Sequence, residues 1–210
     1  MIRLARLLLY AMEYFWKLCI YGVIMMFSPG PNNIMLASSG ATFGFRRTIP
    51  HMIGIVAGFQ CLVIGSGLGI GGLLAASPKL SLAVKCLGAL YMMYLAYRIA
   101  TSRVTGLDAK GERRAKPLSF LQAALFQPMN PKAWISALSG LSLYIPESVG
   151  ILERTATGAA AFLSTSILST LLWAALGQSI KQFFNTPSKL RIFNQATAAI
   201  LIAMIALLFL

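Results

Sequence analysis

Long apolar stretches that carry almost no charge dominate this chain of 210 residues. Hydrophobic residues make up 58% of the sequence and charged residues only 11%, which is not the composition of a soluble domain. A membrane-spanning helix needs about 20 consecutive apolar residues, so six of them would use about 120 residues and leave no room for a sizeable soluble domain. The sequence therefore predicts an integral membrane protein in contact with the lipid bilayer.

Charges and turn residues divide the chain into six apolar segments. We predict an all-α membrane protein with six transmembrane helices in a single domain over residues 1–210. Repeat one covers about residues 14–100, repeat two covers about residues 118–210, and a polar loop at about residues 101–117 separates them. The segments run from about Tyr14 to Thr42, from Pro50 to Ala76, from after Lys79 to Arg98, from Leu118 to Tyr144, from Leu152 to Ile180 and from Leu190 to Leu210.

The positive charge of the chain predicts its orientation. The net charge is +13, and in membrane proteins Lys and Arg concentrate in cytoplasmic loops, so we exclude a nucleic-acid partner as its cause. This places the central loop in the cytoplasm and both termini outside, although Arg3, Arg6 and Lys17 near the N-terminus favour the opposite side and would fit a five-span arrangement. Eleven of the 18 cations follow segments one, three and five: Arg46, Arg47, Arg98, Arg103, Lys110, Arg113, Arg114, Lys116, Lys181, Lys189 and Arg191.

Proline interrupts the first segment of each half, at Pro29–Asn33 and at Gln127–Lys132. Proline removes a backbone donor, and backbone left unpaired at bilayer depth is tolerated only inside protein or beside a wet cavity. Three spans in each half make the two halves inverted relative to each other. The spacing therefore predicts two inverted three-helix repeats whose first helices are broken.

The first break suits a carboxylate ligand. If the chain unwinds at Gly30 and restarts as a half-helix, free amides near Asn32 and Asn33 point towards the break together with the positive end of the helix dipole. The alternative is a kink that neighbouring helices stabilise, which is common for a single membrane proline.

Lys132 is the second candidate, because a cation near the middle of the bilayer costs several kcal/mol and normally faces a cavity or a partner. No acidic residue lies deep in any segment, so the carboxylate of a substrate could be its counter-ion. In the alternative interpretation, Lys132 snorkels or bonds to freed carbonyls of the broken helix. Ser136 lies one turn further on the same face. The predicted substrate-binding residues are Pro29, Gly30, Pro31, Asn32, Asn33, Asn130, Pro131, Lys132 and Ser136.

Other polar and glycine positions carry weaker predictions. Gly54 and Gly58 belong to a stripe of small residues on segment two where another helix can approach closely. His51 at the start of that segment could carry a proton, but we interpret it as a surface histidine. The three cysteines show no metal or redox spacing and are interpreted as buried thiols, so we predict no metal site, cofactor or catalytic residue.

Several of these motifs resemble the LysE/RhtB amino-acid exporter family. The resemblance implies a secondary transporter of the bacterial inner membrane that exports amino acids or close derivatives in exchange for protons, as a homodimer. Many members place an acidic residue after the segment-two glycines, whereas this chain has Gln60. In this departure the chain resembles the cysteine and O-acetylserine exporter branch of the family. The motifs are Ser28–Asn33, Gly44–Arg47, Gly54–Gly58, Leu87–Tyr91, Tyr94–Arg98 and Asn130–Lys132.

We therefore predict a non-enzymatic exporter of small amino acids that works by alternating access around a midplane site. The alternative is a membrane thiol oxidoreductase on a similar six-helix plan, which would need a cysteine at each break. Cys19, Cys61 and Cys86 all lie in the first half and outside the breaks. A membrane scaffold without a transported solute is a third interpretation.

Overall fold

The computed structural model describes residues 2–102, 116–180 and 186–206, with side chains described except at 2–10, 73–75 and 187. These residues form helices and no strand. Four cations predicted to lie in the central loop (Arg103, Lys110, Arg113 and Arg114), as well as Lys181, lie outside the described residues. The helices are α1 (Ile2–Phe27), α2 (Pro31–Phe43), α3 (Phe45–Gly67), α4 (Ile70–Ala76), α5 (Pro78–Ala100), α6 (Phe120–Phe126), α7 (Pro131–Tyr144), α8 (Ile151–Ile180) and α9 (Pro187–Ala206), with a 3-10 turn at Gln127–Met129.

Four helices among the described residues are long and apolar enough to cross a bilayer. Many large apolar side chains on the outer surface are exposed, for example Trp16 and Ile24 of α1, as expected for a protein that faces lipid. The chain is therefore an all-α, multi-pass membrane protein. The candidate spans are Phe45–Gly67, Pro78–Ala100, Ile151–Ile180 and Ser188–Ala206.

Both proline breaks interrupt helices. Pro31 is the first residue of α2 and Pro131 is the first residue of α7, positions where the missing N–H of proline removes no helical hydrogen bond. The Asn130 side chain caps α7 by accepting a hydrogen bond from the backbone N–H of Lys132 at 3.1 Å. Each break therefore ends one helix and starts another instead of kinking a continuous one.

The structure differs from the prediction for segment two at its start and in its continuity, whereas the predicted end at Ala76 coincides with the end of α4. The helix of this segment begins at Phe45 instead of Pro50, directly after Gly44, whose φ of 85° ends α2 and redirects the chain. The helix then stops at Gly67, and Gly69 adopts a φ of 99° before the short α4 begins. Both turns use backbone conformations that glycine adopts far more readily than other residues.

Helix α8 lies at the centre of the fold, in contact with α1, α2 and α3. Its Phe162 is fully buried and packs edge-on against Phe59 of α3, with ring centroids 5.6 Å apart. The α2–α8 crossing is backbone to backbone, because a methyl group on Gly40 would overlap the carbonyl of Ala174 and one on Gly177 would overlap the carbonyl of Ala37. Helix α2 is thus held tightly inside the protein.

The glycine face predicted on segment two is confirmed at Gly54 and Gly58. A methyl group on Gly54 would collide with Phe120, and one on Gly58 would collide with the backbone of Ala124. Both collision partners belong to α6, so the close approach joins the two halves of the chain.

A buried polar cluster ties α2 to α5 and α9. Asn194 of α9 accepts hydrogen bonds from the hydroxyls of Ser38 at 3.0 Å and Thr42 at 3.2 Å. Its amide nitrogen donates to Ser102, after α5, at 3.0 Å. The C-terminal ends of α2 and α5 and the beginning of α9 therefore meet at one end of the molecule.

Replacing Asn194 with alanine is expected to lower the free energy of unfolding by about 2 kcal/mol, because buried hydroxyls of Ser38 and Thr42 lose their partner. Thermal unfolding of the purified protein in detergent measures this effect. Gln195→Ala is the matched control, since Gln195 is the exposed neighbour on the same helix. Equal unfolding midpoints for the two variants would contradict the prediction.

Candidate functional site

The two breaks meet at Lys132. Its ammonium group donates to the backbone carbonyl of Ser28 at 2.7 Å, to the Ser28 hydroxyl at 2.8 Å and to the carbonyl of Pro29 at 3.2 Å. The first two of these bonds join residues 104 positions apart in the chain. A Cβ atom on Gly30 would lie only 2.9 Å from the ammonium nitrogen, so glycine leaves the space that the lysine occupies.

A second link between the breaks is a pair of amide side chains. Asn32 donates to Gln127 at 2.9 Å, and Gln127 donates back to Asn32 at 3.1 Å. Gln127 is fully buried and also donates to the carbonyl of Ala123 at 3.1 Å. Gln127 is not among the site residues predicted from the sequence, although its place within the second break could have indicated it.

Freed carbonyls at the end of α1 also have partners. Asn33 donates to the carbonyls of Met26 at 2.6 Å and Ser28 at 2.8 Å. The Ser169 hydroxyl of α8 donates to the same Met26 carbonyl, also at 2.6 Å. Helix α8 therefore contributes to the break region, although none of its residues is among the site residues predicted from the sequence.

A cavity of about 40 Å³ lies between the two breaks, and we call it the break cavity. A water needs roughly 10–15 Å³ of such volume, so in this conformation the cavity has room for a few waters and is too narrow for an amino acid. Pro29 and Pro131 do not line it, whereas the other seven predicted site residues do. Its lining is Met25, Met26, Gly30, Pro31, Asn32, Asn33, Ile55, Phe59, Asn130, Lys132, Ala133, Ser136, Ser166, Ser169 and Thr170.

The break cavity is suited to an anionic group. Lys132 is the one charged residue in its lining, and no Asp or Glu is present there. The first amides of α2 have no intrahelical acceptor, and the positive end of its dipole points towards the break. Ser136 lines the cavity but donates its own hydroxyl to the Lys132 carbonyl at 2.7 Å. The remaining lining combines hydroxyl and amide groups with apolar side chains such as Phe59.

The family model described as LysE type translocator matches residues 23–210, which contain both breaks. The chain belongs to this family. Proteins named cysteine/O-acetylserine efflux protein from Escherichia coli strain K12 and Shigella flexneri are each 28% identical to it over 181 residues, which cover 81% of this chain and 84% of theirs. The protein of the same name from Salmonella typhimurium strain LT2 is 26% identical over 171 residues. No solved structure matches the chain.

The resemblance to the LysE/RhtB family implies an acidic residue at the position of Gln60 in many members, whereas this chain has an amide there. Gln60 lies outside the break cavity lining. With its amide turned to suit its neighbours, it donates to the carbonyl of Ala159 at 3.1 Å and accepts from the N–H of Leu163 at 2.9 Å. In this LysE protein the position therefore joins α3 to α8.

Two predictions about burial in this LysE protein were wrong: that His51 lies at the surface, and that the three cysteines are buried. His51 is 1% exposed instead of lying at the surface, because the helix begins at Phe45 and His51 lies more than one turn inside it. Cys61 and Cys86 are exposed on the outer faces of α3 and α5, and Cys19 is half-buried. All three cysteines are free thiols, and none lines the break cavity.

Proposed function

We propose that this protein exports small amino acids or close derivatives from the cytoplasm, and that cysteine and O-acetylserine are the first solutes to test. Membership of the LysE type translocator family and the names of the relatives support the class of solute. The observation that carries the proposal is the Lys132 ammonium group, held between two broken helices by carbonyl oxygens.

The carboxylate of the substrate replaces these carbonyls as the partner of Lys132. Among the described residues, the ammonium group of Lys132 bonds to oxygens of Ser28 and Pro29, which are weaker partners than a full negative charge at low dielectric. The amides at the start of α2 complete the carboxylate site. Substrate binding thereby releases the bonds between Lys132 and the first break.

Alternating access follows from this exchange of partners. The bonds from Lys132 to Ser28 and Pro29 and the Asn32–Gln127 pair join the two halves across the break cavity. A substrate that takes over Lys132 weakens this connection and lets one half move against the other. The cavity of about 40 Å³ corresponds to the closed state between the outward-open and inward-open states.

The remaining lining sets the class of solute. Hydroxyls of Ser166, Ser169 and Thr170 line the break cavity and offer acceptors for a substrate ammonium group. Phe59 and Ile55 close another part of the wall and leave space for a short side chain. A small neutral or polar amino acid fits these features better than a cationic one, which Lys132 would repel.

We also propose the finer architecture: six spans in two inverted repeats, in the bacterial cytoplasmic membrane as a homodimer, with the central loop cytoplasmic. The packing supports the repeat, because exchanging the equivalent helices of the two halves converts the α2–α8 contact into α7–α3 and the α1–α8 contact into α6–α3, all of which occur. Proton exchange belongs to the same proposal.

Uptake of labelled amino acids into inverted membrane vesicles, with and without an inward-acidic pH gradient, tests this function. We expect cysteine or O-acetylserine to accumulate in these vesicles to a much higher level than in vesicles without the protein. Collapse of the pH gradient is expected to abolish this accumulation. If no member of a broad amino-acid panel enters the vesicles, the export function is wrong. If accumulation persists without the gradient, proton exchange is wrong.

A further inference from the structure

A second and larger cavity, which we call the α5 cavity, lies along the C-terminal half of α2. Its volume is about 170 Å³, roughly four times that of the break cavity. Ser38 in its lining follows Asn32 by six residues, a rise of about 9 Å along a helix. The two cavities thus share α2 as a common wall. The α5 cavity is lined by Met35, Ser38, Ser39, Phe43, His51, Arg98, Ile99, Thr101, Ser102, Lys116 and Leu118.

His51 is a buried polar group in this lining that has no hydrogen-bond partner among the described residues. It is 1% exposed, and neither of its ring nitrogens has a hydrogen bond within the described residues. The hydroxyls around it are paired, because Ser39 bonds with Thr48 at 2.9 Å and Ser102 accepts from Asn194 at 3.0 Å. A buried polar atom without a partner costs about 1–3 kcal/mol. The imidazole is therefore poised to bind an occupant of the cavity.

The α5 cavity is also cationic. Arg98 is held in place by bonds to the Gln122 side chain at 3.0 Å and to the Lys116 carbonyl at 3.2 Å, with its guanidinium 5.9 Å from the Tyr94 ring centroid. Lys116 adds a second positive charge to the lining, and none of the described residues in it is Asp or Glu. These groups attract an anion, and Arg suits a carboxylate in particular because its planar donors match the two oxygens.

We propose that the α5 cavity is an intake site that binds the carboxylate of the substrate before it reaches the break cavity. This inference rests on the proposed export function. Arg98 and Lys116 bind the carboxylate of the substrate, and His51 contacts the remaining part of the substrate. The substrate then moves along α2 towards Lys132, from one cationic site to the next.

Initial uptake rates of O-acetyl-L-serine into inverted vesicles test the intake site, because these vesicles present the cytoplasmic face to the medium. Arg98→Gln and Lys116→Gln are each expected to raise the half-saturating concentration about tenfold, the effect of losing one charged hydrogen bond. His51→Phe is expected to raise it by a smaller factor. Arg46→Gln is the matched control, since Arg46 is an exposed cation outside the cavity lining and should leave the half-saturating concentration unchanged.

The outcomes separate this proposal from the export function. If the wild-type protein transports and both Arg98→Gln and Lys116→Gln keep its half-saturating concentration, the intake site is wrong and the export function stands. If the wild-type protein transports no amino acid, the export function fails and the intake site fails with it. Lys116 is exposed, so its variant tests the proposal even if Arg98→Gln does not fold.

A lipid phosphate could supply the same anionic chemistry as a substrate carboxylate. Reconstitution in phosphatidylcholine alone, compared with a mixture containing phosphatidylglycerol, distinguishes the two sources. We expect the defect of Arg98→Gln in both membranes. A defect that appears only with phosphatidylglycerol would assign the cavity to lipid and overturn the proposal.

Discussion

Replacing Lys132 with methionine is expected to reduce export by about 10- to 100-fold. Methionine keeps much of the apolar stem of lysine but removes the charge that binds the substrate carboxylate. A charged hydrogen bond contributes about 1.5–3 kcal/mol, and a transport barrier raised by about 3 kcal/mol lowers a rate by about 100-fold. Uptake of O-acetyl-L-serine into inverted vesicles, normalised to the amount of folded protein, measures the loss.

The same substitution also removes three hydrogen bonds to Ser28 and Pro29, so stability has to be measured alongside transport. We expect a lower unfolding temperature in detergent and a folded fraction large enough to assay. Lys189→Met is the matched control, because Lys189 is an exposed lysine near the start of α9. If Lys132→Met is less stable but its folded fraction transports at the wild-type rate, Lys132 only fastens the break and does not bind substrate.

The positions of the breaks could be predicted from the sequence because proline acts locally. Pro31 and Pro131 lack the N–H that a continuous helix would need, and both begin new helices. The sequence could not decide between the two interpretations of Lys132, because its partners Ser28 and Pro29 lie more than 100 residues away. That choice depends on how closely the two halves approach each other.

His51 illustrates how a small error in a boundary changes a functional interpretation. If the helix began at Pro50, as predicted from the sequence, the histidine would lie at the membrane edge and be interpreted as a surface residue. Gly44 allows the helix to begin five residues before Pro50, and His51 then lies on the inner face against α2. The α5 cavity depends on this shift, so it could not be predicted from the apolar pattern.

The glycines of segment two have two roles, close helix packing and a turn of the backbone, and the sequence pattern does not distinguish them. Gly54 and Gly58 allow α6 to approach closely, as the stripe predicted. Gly69 continues the glycine spacing along segment two, but it adopts a positive φ just after α3 ends. Spacing alone gives both kinds of glycine the same interpretation, since only the backbone conformation distinguishes them.

Replacing Gly177 with leucine is expected to prevent folding of most of the protein. The side chain would enter the α2–α8 crossing, where even a methyl group on Gly177 overlaps the backbone carbonyl of Ala37. A backbone cannot rotate away as a side chain can, so α2 and α8 would have to separate. Overpacking of a well-packed core costs about 1–3 kcal/mol for added methylenes, and we expect Gly177→Ala to fall in this range and Gly177→Leu to exceed it.

The effect should reach transport as well as stability. Ser169 of α8 bonds to Met26 beside the first break, and α2 carries Asn32 and Asn33, so displacing α2 from α8 widens the break cavity. Ala175→Leu is the matched control, because Ala175 lies on the same helix but is exposed. Unfolding midpoints in detergent and uptake of O-acetyl-L-serine measure both effects. If Gly177→Ala unfolds at the same temperature as the control, the close backbone contact does not stabilise the fold, and α2 is not held in place by α8 at the substrate site.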